Sequence, residues 1–158
     1  MKKDLVAVFS PTLHTLKIAK EIVSILGADL YVIEPVYPYT KDDLDYNKSN
    51  SRSSIEMEDT KCRPKIIKKE LDVNKYNRLF IGYPIWWYTA PRIVNTFLES
   101  YDFSKMIIIP FATSQSSEIG ESSKDIKESV PKGTKVMKGK RFSPIASRKD
   151  LEDWLKAL

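Results

Sequence analysis

The run Met106-Ile107-Ile108-Ile109-Pro110-Phe111-Ala112 is apolar at every position, with none of the alternation of a half-solvated strand. Such a strand is covered on both faces, the condition of a central strand in a parallel sheet. Leu5-Val6-Ala7-Val8-Phe9 has the same character, so both runs are expected in the interior of one sheet. Further strand-like runs fall at 29–34 and 79–83, with a shorter one near 134–138. Between the runs the apolar period changes. Leu13, Leu16, Ala19, Ile22, Val23 and Leu26 recur at helical spacing, and Gly27 is placed to end that helix. Ile93, Val94, Phe97, Leu98 and Tyr101 repeat the pattern, with Pro91 near a first turn where a missing N–H is harmless. Ile119, Ile126 and Val130 mark another helix. Ser147 with Asp150 makes a capping signal ahead of the stripe Leu151, Trp154, Leu155 and Leu158. Alternating strand and helix predicts a three-layer α/β fold with a mostly parallel sheet, in a single domain over 1–158.

The exception is the polar stretch from about Pro35 to Asn77, read as an extended connection carrying one short helix. Connections of that length are usually functional or flexible. No apolar run approaches the ~20 residues of a membrane span. Met1-Lys2-Lys3-Asp4 followed by five apolar residues is too short for a signal peptide, so a cytoplasmic location is expected. One cysteine, Cys62, allows no internal disulfide and has no metal-ligand companions. The net charge is +5, and two basic groups stand out: Lys61, Arg63, Lys65, Lys68 and Lys69, then Lys132, Lys135, Lys138, Lys140 and Arg141. They read either as a docking face for an acidic partner or nucleotide, or as solvated surface, the commoner case. Neither interleaves aromatics that stack bases, so nucleic-acid binding is not expected.

Three polar loops leave these strands. The first is Ser10-Pro11-Thr12-Leu13-His14-Thr15, where three hydroxyls meet a helix N-terminus. Free N–H groups and the positive end of the helix dipole suit a phosphate there, although three hydroxyls alone are also compatible with a turn and an N-cap. The loop has no Gly-Lys-Ser/Thr and no glycine-rich fingerprint. His14 is the only histidine. No Gly-x-Ser-x-Gly elbow accompanies it, which leaves a phosphate contact or an exposed loop residue. The second loop, Pro84-Ile85-Trp86-Trp87-Tyr88, places adjacent tryptophans after a strand. Neighbouring aromatics point in different directions, so one packs inward while the other offers a stacking face. The third, Thr113-Ser114-Gln115-Ser116-Ser117, follows the central run. Phosphate at the first loop and an aromatic ring at the second suggest flavin mononucleotide (FMN), and all three loops would converge on one end of the sheet. A phosphoacceptor domain of the same topology needs aspartates at the strand ends, where this chain has Ser10 and Tyr83.

Many ordered segments carry a wider resemblance: Val36-Tyr37-Pro38-Tyr39-Thr40, Asp43-Leu44-Asp45-Tyr46, Ser51-Arg52-Ser53, Glu56-Met57, Arg63-Pro64, Gly82-Tyr83-Pro84-Ile85-Trp86-Trp87, Ala90-Pro91, Thr96-Phe97-Leu98-Glu99 and Phe111-Ala112-Thr113-Ser114. In these the chain resembles the flavodoxins, and among them a group of short bacterial flavodoxin-like proteins. The resemblance implies a five-stranded parallel sheet of order 2-1-3-4-5 binding FMN. Ser10, Pro11, Thr12, Leu13, His14 and Thr15 would then hold the phosphate. Pro84, Ile85, Trp86, Trp87 and Tyr88, with Thr113, Ser114, Gln115, Ser116 and Ser117, would flank the isoalloxazine. It also implies a redox role, as an electron carrier or a small NAD(P)H- or quinone-type oxidoreductase, with a partner protein or small electron acceptor and no required catalytic acid or base. The group usually has glycine where this chain has Leu13, Tyr88, Gln115, Ser116 and Glu118, and asparagine where it has His14. Those departures keep a second expectation open, a binding or regulatory module of the same fold that has lost FMN.

Overall fold

The computed structural model describes residues 2–158. The strands are β1 (Lys3–Val8), β2 (Asp29–Val32), β3 (Tyr76–Pro84), β4 (Ile107–Thr113), β5 (Lys135–Val136) and β6 (Lys140–Phe142). The helices are α1 (His14–Leu26), α2 (Arg52–Glu58), α3 (Arg92–Ser100), α4 (Ser122–Glu128) and α5 (Arg148–Lys156). Every strand pairing is parallel and the order is β2-β1-β3-β4-β5, with β6 also on β4. This is the flavodoxin-like α/β arrangement, with β1 and β4 inside the sheet as the unbroken apolar runs require.

Both faces of the sheet are dry, and the pleat sorts the residues between them. Val6, Val8, Phe80, Ile109 and Phe111 lie in a cluster with Ile18, Ala19 and Ile22 of α1 and Leu151 and Leu155 of α5. Their neighbours Leu5, Ala7, Phe9, Leu79, Ile81, Ile108 and Ala112 join Ile93, Val94, Phe97 and Leu98 of α3 and Ile126 of α4. Successive strand residues point to opposite faces, so a run apolar at every position serves two cores at once. Asp4 and Arg78 face each other in the β1–β3 register and close a two-point ion pair at 2.7 and 2.8 Å.

The single short strand expected near 134–138 is corrected to two pieces, β5 and β6, in one lane. Pro110 in β4 is the cause. It has no N–H to give the edge lane, and its carbonyl lies 2.3 Å from where a side chain at residue 139 would begin. Gly139, at φ 79°, is the residue that passes this point. The helix read from Ile119, Ile126 and Val130 is also shorter than its apolar markers, since α4 runs only from Ser122 to Glu128. Ile119 and Val130 pack on the core from the flanking turns.

Helix ends follow local chemistry. Gly27 closes α1 in the left-handed conformation, at φ 64°. Ser147 and Asp150 form the expected capping box of α5. Replacing Ser147 with alanine is expected to cost about 1 kcal/mol, read as a lower urea midpoint with an unchanged slope.

Candidate functional site

β1, β3 and β4 end side by side. β1 connects outward to β2 while β3 connects the other way to β4, so the strand order reverses between β1 and β3. Crevices at such a point, beyond the carboxyl ends of the strands, are where open α/β sheets bind ligands.

The first loop leaves β1 here. Ser10 accepts the N–H of Leu16 on its hydroxyl oxygen at 2.9 Å and that of Leu13 on its carbonyl at 3.3 Å. These bonds close residues 10–16 into a compact turn at the start of α1. Leu13 sits at the helix start in the left-handed conformation, φ 71°, and is 64% exposed. Among the described residues no protein acceptor meets the backbone N–H of Thr12, His14 or Thr15. The first turn of α1 holds no acidic side chain to compete for them. Three unpaired donors at the positive end of a 13-residue helix fit a phosphate. Thr12 and His14 stand exposed beside them, Thr12 Oγ1 3.4 Å from His14 Nδ1. Pro11 is half-buried. Thr15 differs from its neighbours, for it is buried and its hydroxyl shares a 2.7 Å hydrogen bond with that of Thr113, tying the first loop to the end of β4.

The second loop is a two-residue hairpin. Trp86 N–H donates to the Thr89 carbonyl at 3.0 Å, and Thr89 N–H returns a bond to the Trp86 carbonyl at 3.1 Å. The two residues between, Trp87 and Tyr88, have φ of 49° and 63°. Positive φ at both positions defines a type I′ turn, which strongly prefers Asn-Gly. With bulky side chains there, each left-handed residue costs roughly 1–2 kcal/mol. Tyr88 is 67% exposed and Trp87 46%, so burial offsets little of that strain at Tyr88 and only part of it at Trp87. Trp86 does the opposite. It is half-buried, edge-on to Phe9 at 5.7 Å and to Tyr39 at 5.7 Å. Ahead of the turn, Pro84 ends β3 opposite Thr113, and Ile85 N–H donates to the Thr113 carbonyl at 3.1 Å.

The third loop is held from the edge lane. Arg141 of β6 donates to Ser114 Oγ at 3.1 Å, the Ser114 carbonyl at 2.9 Å and the Gln115 carbonyl at 2.6 Å. Ser114 in turn donates to the Ser117 carbonyl. Gln115, Ser116 and Glu118 project into solvent. Gly120 then passes beneath the second loop, where an added Cβ would lie 2.4 Å from the Tyr88 carbonyl, and Glu121 N–H donates to that carbonyl at 3.1 Å.

The long connection folds back onto the same end. Tyr39 packs on Phe9 at 5.5 Å, carries the Arg52 guanidinium 3.6 Å above its ring and donates to Glu56 at 2.5 Å. Burial, then the bond to the Glu56 carboxylate, pushes the Tyr39 hydroxyl well above its usual range; Arg52 opposes this. Arg52 also pairs with Glu56 at 2.9 Å. A cleft of about 420 Å³ opens between Trp87 and this connection, lined by Tyr46, Asn47, Ser54, Met57 and Glu58. Cys62 lies apart from the three loops, its thiol pushed up chiefly by burial. Among the described residues no group of acidic, histidine or cysteine side chains could hold a metal.

The structure thus brings Ser10–Thr15, Pro84–Tyr88 and Thr113–Ser117 together at one end of the sheet. Sequence reasoning missed Arg141, which it read only as part of a basic run, and Gly120, whose need for space comes from a carbonyl 32 residues earlier in the chain. It also missed the Tyr39–Arg52–Glu56 set. Its signal was the spacing of Arg52 and Glu56, four apart on one helix face.

A protein from Bacteroides eggerthii, described as a candidate flavoprotein, has a structure that matches at 42% identity, covering 99% of this chain and 98% of that one, with a TM-score of 0.91. One from Bacteroides uniformis, described in the same way, matches at 42% identity over 98% of each chain, with a TM-score of 0.92. A flavoprotein from Lactobacillus acidophilus, solved in complex with FMN, shares the fold at 21% identity over 98% of this chain and 99% of that one, TM-score 0.72. Curated proteins gave no significant match. The sequence pattern of the flavodoxins matches residues 3–158, and the chain belongs to the flavodoxin family.

Proposed function

We propose that the chain is an FMN-binding redox protein of the cytoplasm that passes electrons to or from a partner protein or a small acceptor. The observation that carries this reading is the set of unpaired N–H groups of Thr12, His14 and Thr15 at the start of α1, at the point where the strand order reverses. The two relatives at 42% identity support it, both being described as candidate flavoproteins. So does the FMN in the complex of the more distant Lactobacillus acidophilus protein. Among the described residues no helix is long and apolar enough to cross a membrane, in keeping with this location.

In this reading Ser10–Thr15 hold the phosphate, with the Ser10 and Thr12 hydroxyls adding to the backbone donors. Pro84–Tyr88 and Thr113–Ser117 flank the ring. Trp86 and Thr15 act one layer back, fixing the second loop to Phe9 and the first loop to β4. Bound FMN supplies reversible electron transfer, and the protein's part is to hold it, orient it and set the charge around it. No side chain is required as a chemical acid or base.

Titration of the purified chain with FMN, followed by quenching of flavin fluorescence, is expected to saturate at one equivalent. Thr12→Ala is expected to weaken binding by about 1.5–3 kcal/mol, the range for a hydrogen bond to a charged group. Affinity unchanged by Thr12→Ala would place the phosphate elsewhere. The competing reading, a module of this fold without FMN, is favoured by the bulky residues Leu13, Trp87 and Tyr88 at positive φ, and it gains if the titration shows no binding.

A further inference from the structure

We propose that Arg141 sets the charge on the flavin site, holding the third loop in place while favouring the reduced, more negative form of the ring. The inference rests on the FMN reading and goes one step beyond it, to a residue outside the three loops.

Arg141 is the only cationic side chain bonded to any of the three loops among the described residues. Its fork makes three bonds, all to neutral acceptors of Ser114 and Gln115. Among the described residues no carboxylate lies within ion-pair distance of it, although ten ion pairs form elsewhere among them. The other arginines near this end are spent differently. Arg52 is neutralised by Glu56, and Arg92, also without a carboxylate partner among the described residues, donates to the Met57 carbonyl rather than to one of the three loops. A guanidinium does not deprotonate in proteins, so the positive charge persists at every working pH. Asp150 and Asp153 line one cleft with Arg141, but both are exposed and screened, Asp153 paired with Lys149 and Asp150 accepting the Ser147 N–H, whereas Arg141 is half-buried.

Two electrons and one proton added to the oxidised ring leave it with one extra negative charge. The donor is a hydride donor in the cell or dithionite in the test. By Coulomb's law at an effective dielectric of ~20, any fixed positive charge on the order of 10 Å from a group gaining one negative charge shifts its equilibrium by about tenfold. Arginine supplies that charge together with the planar fork that binds two successive carbonyls, whereas lysine supplies the charge alone.

The test is the two-electron midpoint potential and the dissociation constant of FMN in the full-length chain, in the wild type, Arg141→Gln and Arg141→Lys. Arg141→Gln is expected to lower the potential by about 30 mV, the equivalent of tenfold weaker relative binding of reduced FMN. Arg141→Lys is expected to keep the potential within half that shift while weakening both redox forms, because the loop loses its fork. If both variants weaken FMN and neither moves the potential, Arg141 is a structural pin only and the proposal is overturned. A thermal melt of each apo variant shows whether the fold survives, and the lysine variant keeps the charge measurable if glutamine does not. A wild-type chain that takes up no FMN overturns the FMN reading itself, and this inference falls with it.

Discussion

Gly82→Ala is expected to lower the stability of the chain by about 1–3 kcal/mol, the usual cost of forcing extra bulk into a packed interior. The backbone at Gly82 is ordinary strand, so conformational freedom is not why glycine stands there. Space is the reason. A Cβ at this position would lie 2.2 to 2.8 Å from three ring atoms of Phe111, its register partner in β4. Phe111 has no exposed surface and packs among Val8, Phe80, Ile109 and Phe142, so the ring has no direction in which to retreat. The strain would reach the site too, since the Gly82 carbonyl accepts Phe9 N–H at 3.0 Å where the first loop begins. A urea midpoint for Gly82→Ala, Phe111→Leu and the double variant checks the mechanism. The smaller leucine side chain should make the double variant less damaged than the sum of the singles. Full additivity would show that the methyl group is accommodated without Phe111.

The same contrast explains what the sequence revealed and what it hid. β1 and β4 were legible because burial on both faces leaves a mark in every residue of a strand. The first loop was legible because hydroxyls before an amphipathic helix are a local signal. The break at Pro110 was visible as a proline, but its consequence is felt 29 residues later, at Gly139. The turn at Trp87–Tyr88 carried only an indirect mark, the departure from glycine at residue 88, since type I′ geometry is normally announced by asparagine and glycine. Tertiary contacts impose it here. Trp86 is drawn inward by Phe9 and Tyr39, and the Tyr88 carbonyl is turned toward Gly120 and Glu121. Local preference yields when contacts distant in sequence over-determine a backbone. Glycine at the family's usual place, residue 88, would be the unstrained solution. The departure noticed in the sequence is therefore the position where the structure stores strain.

That strain leads to an outcome with two opposite signs. The double variant Trp87→Asn/Tyr88→Gly installs the preferred type I′ pair and is expected to raise the stability of the apo chain by about 1–2 kcal/mol. Relief of two left-handed bulky residues is partly offset by the roughly 0.5–1 kcal/mol of extra freedom that glycine brings to the unfolded chain. Tyr88, 67% exposed, gives up little packing, and Trp87, 46% exposed, gives up its contacts along the cleft, a further part of the offset. FMN affinity is expected to move the other way, falling about tenfold or more, since stacking of a flat heterocycle on an aromatic side chain is worth about 1–3 kcal/mol. Urea denaturation of the apo chain and a fluorescence titration with FMN read the two effects separately. Stabilising changes at strained ligand-binding turns commonly carry such a functional cost. Tighter FMN binding in the variant would mark the exposed rings as obstructions, and the strain would then have no ligand to justify it. Weaker binding beside a firmer fold would show that the chain gave up the glycine turn of its relatives for a surface that grips the ring.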